Sequence, residues 1–350
     1  MSKISEIDKN FKVETPNSRE DTVFLNATDP AFQINGVFYE DGKFRRMPEA
    51  VAKEVSWGVL GLSSHTAGGR LRFKTDSSYI IIKATLGEVG KMPHFALTGS
   101  AGFDLYEKTE QGEHYYCTFV PAFDIEHNLD GIADFGGNKM REFTINFPLY
   151  SEVKELYIGL QNTATIEKPT PYKYEKPIVY YGSSITQGGC ASRPGTSYQG
   201  FISRWLDTDY INLGFSGSAK AEDPMIEYVK DLDMSVFVYD YDHNAPDTDH
   251  LAATHEKMFK TVRQQNPNLP IVIMSRPRYF LTPDEEKRLE IIKTTYNNAV
   301  NSGDKKVYLL TGPELMDLAK DEGLVDGCHP TDFGFASMAK ALGDLLQKIL

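Results

Sequence analysis

The hydrophobic pattern of the chain changes near residue 165. Before that point, apolar and polar residues alternate over short runs. Between Glu142 and Phe147 the apolar positions are Phe143, Ile145 and Phe147, which an extended strand would place on one face. Leu156, Ile158 and Leu160 repeat the pattern. Ser78 to Leu86 and Tyr115 to Val120 are rich in β-branched and aromatic residues, the types that fit a pleated surface. Turn-forming clusters such as Gly136-Gly137 separate the runs. Many short strands with little helix predict a β-sandwich, jelly-roll-like, over residues 1–165.

A stretch with three prolines (Pro169, Pro171 and Pro177) and no periodicity follows, and is expected to be a linker over residues 166–177. Beyond it, short apolar runs recur at Ile178–Tyr181, Tyr210–Leu213, Val236–Tyr239, Ile271–Met274 and Val307–Leu310. Helical patterns lie between several of them. Thr282, Pro283 and Glu285 spell an N-cap, a first-turn proline and a capping box. Leu289, Ile292, Tyr296 and Ala299 then share a face. In the last helix Phe335, Met338, Ala339, Leu342, Leu345, Leu346 and Ile349 form one stripe. Alternating strand and helix predicts a three-layer α/β/α domain over residues 178–350, with a mostly parallel sheet. Ligands of such sheets sit outside the C-terminal ends of the strands.

A length of 350 residues exceeds what one core usually fills, which agrees with two domains. The formal charge of −12, from 37 basic and 49 acidic residues, repels phosphate backbones and anionic lipid. Nucleic-acid and membrane partners are therefore not expected, and a neutral small molecule is. The three cysteines, Cys117, Cys190 and Cys328, do not make a disulfide framework and suit a reducing compartment. The opening residues contain no apolar leader core, and no run approaches the roughly 18 residues of a membrane span. The sequence reading is thus a cytoplasmic protein.

Four loops at predicted strand ends carry candidate chemistry. Gly182-Ser183-Ser184 follows the first strand of the second half. A serine on a sharp strand-to-helix turn exposes its hydroxyl at the sheet rim, with its amide at a helix N-terminus that favours an oxyanion. A plain Gly/Ser loop would read the same way. Gly214-Phe215-Ser216-Gly217 follows the second strand, and glycine there permits close approach of an amide. Asp242-His243-Asn244 follows the third, where the Asn244 amide could donate to a developing negative charge. His243 reads as a bystander. Asp326-Gly327-Cys328-His329 precedes the last helix. An aspartate three residues before a histidine can orient its ring, or can simply cap the helix. Cys328 and His329 lack the spaced partners of a zinc site, and no metal or organic cofactor is called for.

These four blocks, in this order, resemble the SGNH or GDSL-like hydrolase superfamily. The resemblance covers residues 177–350. It implies Ser184 as nucleophile, Asp326 and His329 as its partners, and the Ser184 amide, Gly217 and Asn244 as the oxyanion hole. Gly102-Phe103-Asp104-Leu105-Tyr106 and the run Gly188–Gly195 resemble a two-domain subgroup with an N-terminal GxDLY sandwich, similar to carbohydrate acetyl esterases. A serine esterase removing acetyl groups from sugar esters is the implied activity. A lipase or thioesterase on longer chains, or a non-catalytic sugar binder, are the alternatives. Ser183 stands where the superfamily usually has aspartate, and the flanks of Asn244 also differ. Trp57 is either a strand-core residue or a platform for a sugar ring. Arg193 and Arg278 lie near loops that could meet substrate.

Overall fold

The computed structural model describes residues 19–350, so the leader reading of the first 18 residues lies outside the described part. The first half folds as two antiparallel sheets. One has the order β1 (Thr22–Asn26), β11 (Ser151–Gln161), β6 (Tyr79–Val89), β9 (Asn128–Asp134). The other runs β12 (Ile166–Glu167), β5 (Arg70–Thr75), β10 (Arg141–Asn146), β7 (Phe103–Thr109), β8 (Gly112–Phe119), with β2 (Gln33–Asn35) also on β5. A hairpin, β3 (Phe38–Glu40) and β4 (Lys43–Arg45), stands apart. The alternating triplets Phe143/Ile145/Phe147 and Leu156/Ile158/Leu160 are all buried and meet in one core between the sheets. A one-residue slip of either strand would turn its whole apolar set outward, so the pattern fixes the register.

The second half holds five parallel strands, β13 (Tyr174–Gly182), β14 (Thr208–Gly214), β15 (Val236–Asp240), β16 (Ile271–Met274) and β17 (Val307–Leu310), in the order β14-β13-β15-β16-β17. Both faces are covered. Val179 and Tyr181 point into a core shared with the helices Asp223–Lys230, Thr248–Gln265 and Pro283–Asn301. Ile178 and Tyr180 point the other way, towards the helices Tyr198–Leu206 and Asp332–Ile349. The capping box of Thr282 and Glu285 is formed. The chain leaves β13 to one side for β14 and to the other for β15, so the order reverses beside β13 and opens a crevice at its C-terminal end.

The two halves share material. Ile166 and Glu167 pair with β5, and the parallel strand has already begun at Tyr174. The helices Glu49–Val55 and Trp57–Leu62, from the first half of the sequence, bury Ala52 and Val59 in the core of the parallel sheet. Trp57 is not a strand-core residue. Ser56 caps the helix that Trp57 opens, its side chain accepting from the Val59 amide, and the indole is 89% exposed.

Candidate active site

At the end of β13, Ser184 meets His329 and Asp326, and the loops that carry Gly217 and Asn244 leave the neighbouring strand ends. Gly182 sits so close to β15 that a Cβ would lie 2.4 Å from the Asp240 carbonyl oxygen and 2.2 Å from Thr186 Oγ1, so only glycine fits. Ser183 then caps a one-turn helix, Ser184–Gln187, its hydroxyl accepting from the Ile185 amide at 3.2 Å. This is a structural use for the side chain at the position where the resemblance implies aspartate. Ser184 takes the first helical position, where an amide has no intrahelical acceptor and faces outward. Its Oγ lies 2.9 Å from His329 Nε2.

His329 comes from a short loop ahead of the last helix. Asp326 Oδ2 lies 2.8 Å from His329 Nδ1, and Asp326 Oδ1 accepts from the backbone amides of His329 (2.7 Å) and Cys328 (3.0 Å). Partial burial pushes the Asp326 carboxyl up, but these hydrogen bonds, with the nearby imidazole, outweigh it and hold the group down at about 2. A permanent carboxylate at Nδ1 keeps the proton on that nitrogen and turns the Nε2 lone pair towards Ser184. Arg278 steadies the loop, donating to the Gly327 carbonyl at 2.8 Å.

Parallel register brings the other two loops level with Ser184. Gly182 is opposite Gly214 on β14 and Asp240 on β15. Gly217 adopts a left-handed backbone (φ +67°) with open space where a Cβ would be. Asn244 Nδ2 donates to the Phe215 carbonyl at 2.9 Å, which ties the third loop to the second and leaves one amide hydrogen for another acceptor. The Ser216 amide donates to Gln187 Oε1 at 3.0 Å, which ties the second loop to the first. His243 is half-buried, and burial lowers its pKa to about 4; Cys328 Sγ is 3.7 Å from its Nδ1. Among the described residues it forms no hydrogen bond with Ser184, whose hydroxyl faces His329.

Several contributors left no local signal in the sequence. Arg46 is buried and donates to the carbonyls of Leu62, His65, Asn212 and Gly214, bracing the second loop; among the described residues no carboxylate pairs with it. Burial alone pulls its pKa down to about 9. Tyr150 donates to the Ser184 carbonyl at 3.1 Å. His94 brings its ring to 5.7 Å from that of His329. The GxDLY motif also finds its purpose here. Asp104 is fully buried and accepts from Asn146 Nδ2 (2.7 Å), the Gly195 amide (2.8 Å) and Arg193 (3.1 Å). Arg193 also bonds the Tyr106 hydroxyl and lies over the ring of Tyr115, 4.0 Å from its centroid. A Cβ on Gly195 would come within 2.6 Å of Tyr106. Arg193 is thus part of a clasp that fastens the segment after the Ser184 turn to the sandwich.

Residues 175–347 match the GDSL-like lipase/acylhydrolase family, and residues 22–166 match the GxDLY N-terminus of SGNH-hydrolase-type esterases. The chain belongs to this family of carboxylic ester hydrolases. It is similar in structure to a protein described as a GDSL-like lipase from Bacteroides ovatus (TM-score 0.84, 28% identity, 94% of this chain and 98% of that one). It shares its fold with SsfX3, a salicylyl-acyltransferase from a tetracycline biosynthetic pathway (TM-score 0.75, 20% identity, 95% and 99% covered). An acetyl xylan esterase from Butyrivibrio proteoclasticus shares it too (TM-score 0.58, 14% identity, 93% and 98% covered). No curated protein sequence matches the chain.

Proposed function

We propose that this hydrolase is a serine esterase that removes acetyl or other short acyl groups from sugar esters. The reading rests on the continuous hydrogen-bonded chain Ser184 Oγ–His329 Nε2, His329 Nδ1–Asp326 Oδ2. Ser184 Oγ attacks the ester carbonyl while His329 Nε2 takes its proton. The oxyanion is met by the amides of Ser184 and Gly217 and by the free hydrogen of the Asn244 amide. Collapse of the tetrahedral intermediate breaks the C–O bond to the sugar, and His329 returns the proton to the departing alkoxide. Water then attacks the acyl-enzyme by the same steps in reverse, releasing the acid and restoring Ser184.

Trp57 supports a sugar as the alcohol half. It is a large exposed aromatic beside the oxyanion loop, since Gly58 packs against Ser218, with only 2.1 Å between its Cβ position and the hydroxyl. An aromatic face at such a rim stacks on a pyranose ring. The likeness in fold to a carbohydrate esterase agrees with this reading. A second reading, longer or aromatic acyl chains, is favoured by one observation. An apolar cavity of about 660 Å³, lined by Met92, Pro93, Phe95, Leu97 and Phe123, flanks the loop that carries His94.

Acetate release from acetylated manno-, xylo- and gluco-oligosaccharides, set beside hydrolysis of acetyl and octanoyl test esters, separates the readings. The proposal expects acetyl to exceed octanoyl. Trp57→Ala should raise KM for the oligosaccharide while leaving an activated acetate ester unaffected. Preference for octanoyl, with no oligosaccharide turned over, would refute it.

A further inference from the structure

We propose that the crevice also binds one soft divalent cation, with zinc as the probe, through His94, Cys190 and His329, and that the bound cation switches hydrolysis off. The inhibitory half rests on the reading of His329 as the general base; the binding half does not. The three residues come from three distant stretches of chain: the loop after β6, the segment after the Ser184 turn, and the loop before the last helix. Each offers one ligand atom, and the three atoms lie within 4.8 Å of one another.

Cys190 is placed there by a backbone that its own chemistry does not favour. It is buried and sits at φ +75°, a left-handed conformation uncommon outside glycine and asparagine. Such a conformation persists only where the surroundings enforce it. Here the enforcing contacts are the Gly189 amide donating to the Ser184 carbonyl (2.8 Å), the Ala191 amide donating to the Gly188 carbonyl (3.2 Å) and the Thr98 hydroxyl donating to the Ser192 carbonyl (2.5 Å). Thr98 belongs to the sandwich half, as does His94. The result turns a thiol towards two imidazoles.

One sulfur and two imidazole nitrogens form a donor set for zinc or another soft ion, and a poor one for magnesium or calcium. Zinc bonds of about 2.0 Å to nitrogen and 2.3 Å to sulfur imply ligand separations of roughly 3.3–3.7 Å. A pair at the full 4.8 Å must therefore close by about 1.1–1.5 Å. His94, 39% exposed, can supply that movement by rotating its ring. Three protein ligands leave a fourth position for water. The thiol proton is released to solvent as the metal–sulfur bond forms.

The effect on hydrolysis follows from the hydrogen bonds of His329. Its Nε2 faces Ser184 and its Nδ1 faces Asp326. A metal on Nε2 occupies the lone pair that must take the serine proton. A metal on Nδ1 displaces Asp326 and leaves the proton on the wrong nitrogen. Either way the relay is broken, so the cation is an inhibitor and not a catalytic metal.

The test uses the full chain stripped with a chelator. Calorimetry with zinc should give one site per chain at micromolar affinity or tighter, in the parent and in Ser184→Ala alike. Cobalt should produce a thiolate-to-metal charge-transfer band that is lost in Cys190→Ser. His94→Ala and Cys190→Ser should each weaken zinc binding at least tenfold. Each should also raise the zinc concentration needed for half-inhibition by the same factor, measured against that variant's own zinc-free rate. Absence of stoichiometric binding, or binding indifferent to Cys190, would overturn the site. Binding that leaves ester hydrolysis untouched would overturn the inhibition. A chain that hydrolyses no ester but still shows the cobalt band would sink the proposed esterase function and keep the site.

Discussion

The two sides of the catalytic crevice are built from different material. The proposed nucleophile stands on a buried turn: Ser183, Thr186 and Gln187 are almost wholly enclosed, and Ser184 is only 9% exposed. Its surroundings are parallel strands in register, the tight contact of Gly182 with Asp240, and the Tyr150 hydroxyl beneath the Ser184 carbonyl. The proposed base stands on an exposed loop. Val325, Asp326 and Gly327 face solvent, and the loop is held by the Val325 amide on the His329 carbonyl, the Thr331 amide on the Gly323 carbonyl and Arg278 on Gly327. Positional precision on one side comes from the core, where any change is a packing change. On the other it comes from a few hydrogen bonds, where a change costs geometry and leaves the fold alone.

Substitutions sort along this contrast. The largest effect expected is from Ser184→Ala or His329→Ala, each lowering kcat by about 10⁴–10⁶ while the melting temperature stays close to that of the parent. Steady-state rates on an activated acetate ester, with thermal unfolding alongside, check this. Survival of activity in Ser184→Ala with its loss in Ser183→Ala would move the nucleophile. Asn244→Ala should lower kcat by about 10²–10³ with a smaller change in KM, because in the proposed mechanism its free hydrogen bonds most strongly to the charge that develops in the transition state.

Asp104→Ala tests the buried side. It removes the carboxylate from a clasp and strands Arg193, so denaturant unfolding should show a loss of about 3 kcal/mol. The exposed side should behave in the opposite way. Arg278→Ala should lower kcat/KM by about tenfold with unfolding unchanged, since it frees the loop that aims His329. The smallest effect is assigned to His243→Ala, within about tenfold of the parent in kcat. A loss there as deep as that of His329→Ala would exchange the roles of the two histidines.

What the sequence displayed, and what it hid, follows the range of the contacts involved. The five parallel strands and four of the sandwich strands, β6, β8, β10 and β11, were legible because burial on one face imposes a period of two, and burial on both faces imposes short apolar runs. The order of the four loops was legible because each directly follows a strand or precedes a helix. Contacts made across the long span between the halves carry no period. Arg46 looks like any surface arginine until its carbonyl partners, up to 168 positions away, are known. The helices Glu49–Val55 and Trp57–Leu62 gave no sign that they would leave the sandwich for the other core. Asp104 could be noticed as a motif, but its partners Arg193 and Gly195 lie about 90 positions along.

That clasp also limits how the molecule could be re-engineered. Asp104 and Tyr106 on one half hold Arg193 and Gly195 on the other, only nine and eleven residues past Ser184. A chimaera that kept the catalytic half and borrowed an unrelated front module would inherit every reacting group but lose the brace behind them. The front half is therefore better regarded as the chassis on which the reaction centre is mounted than as an accessory that could be exchanged to redirect specificity.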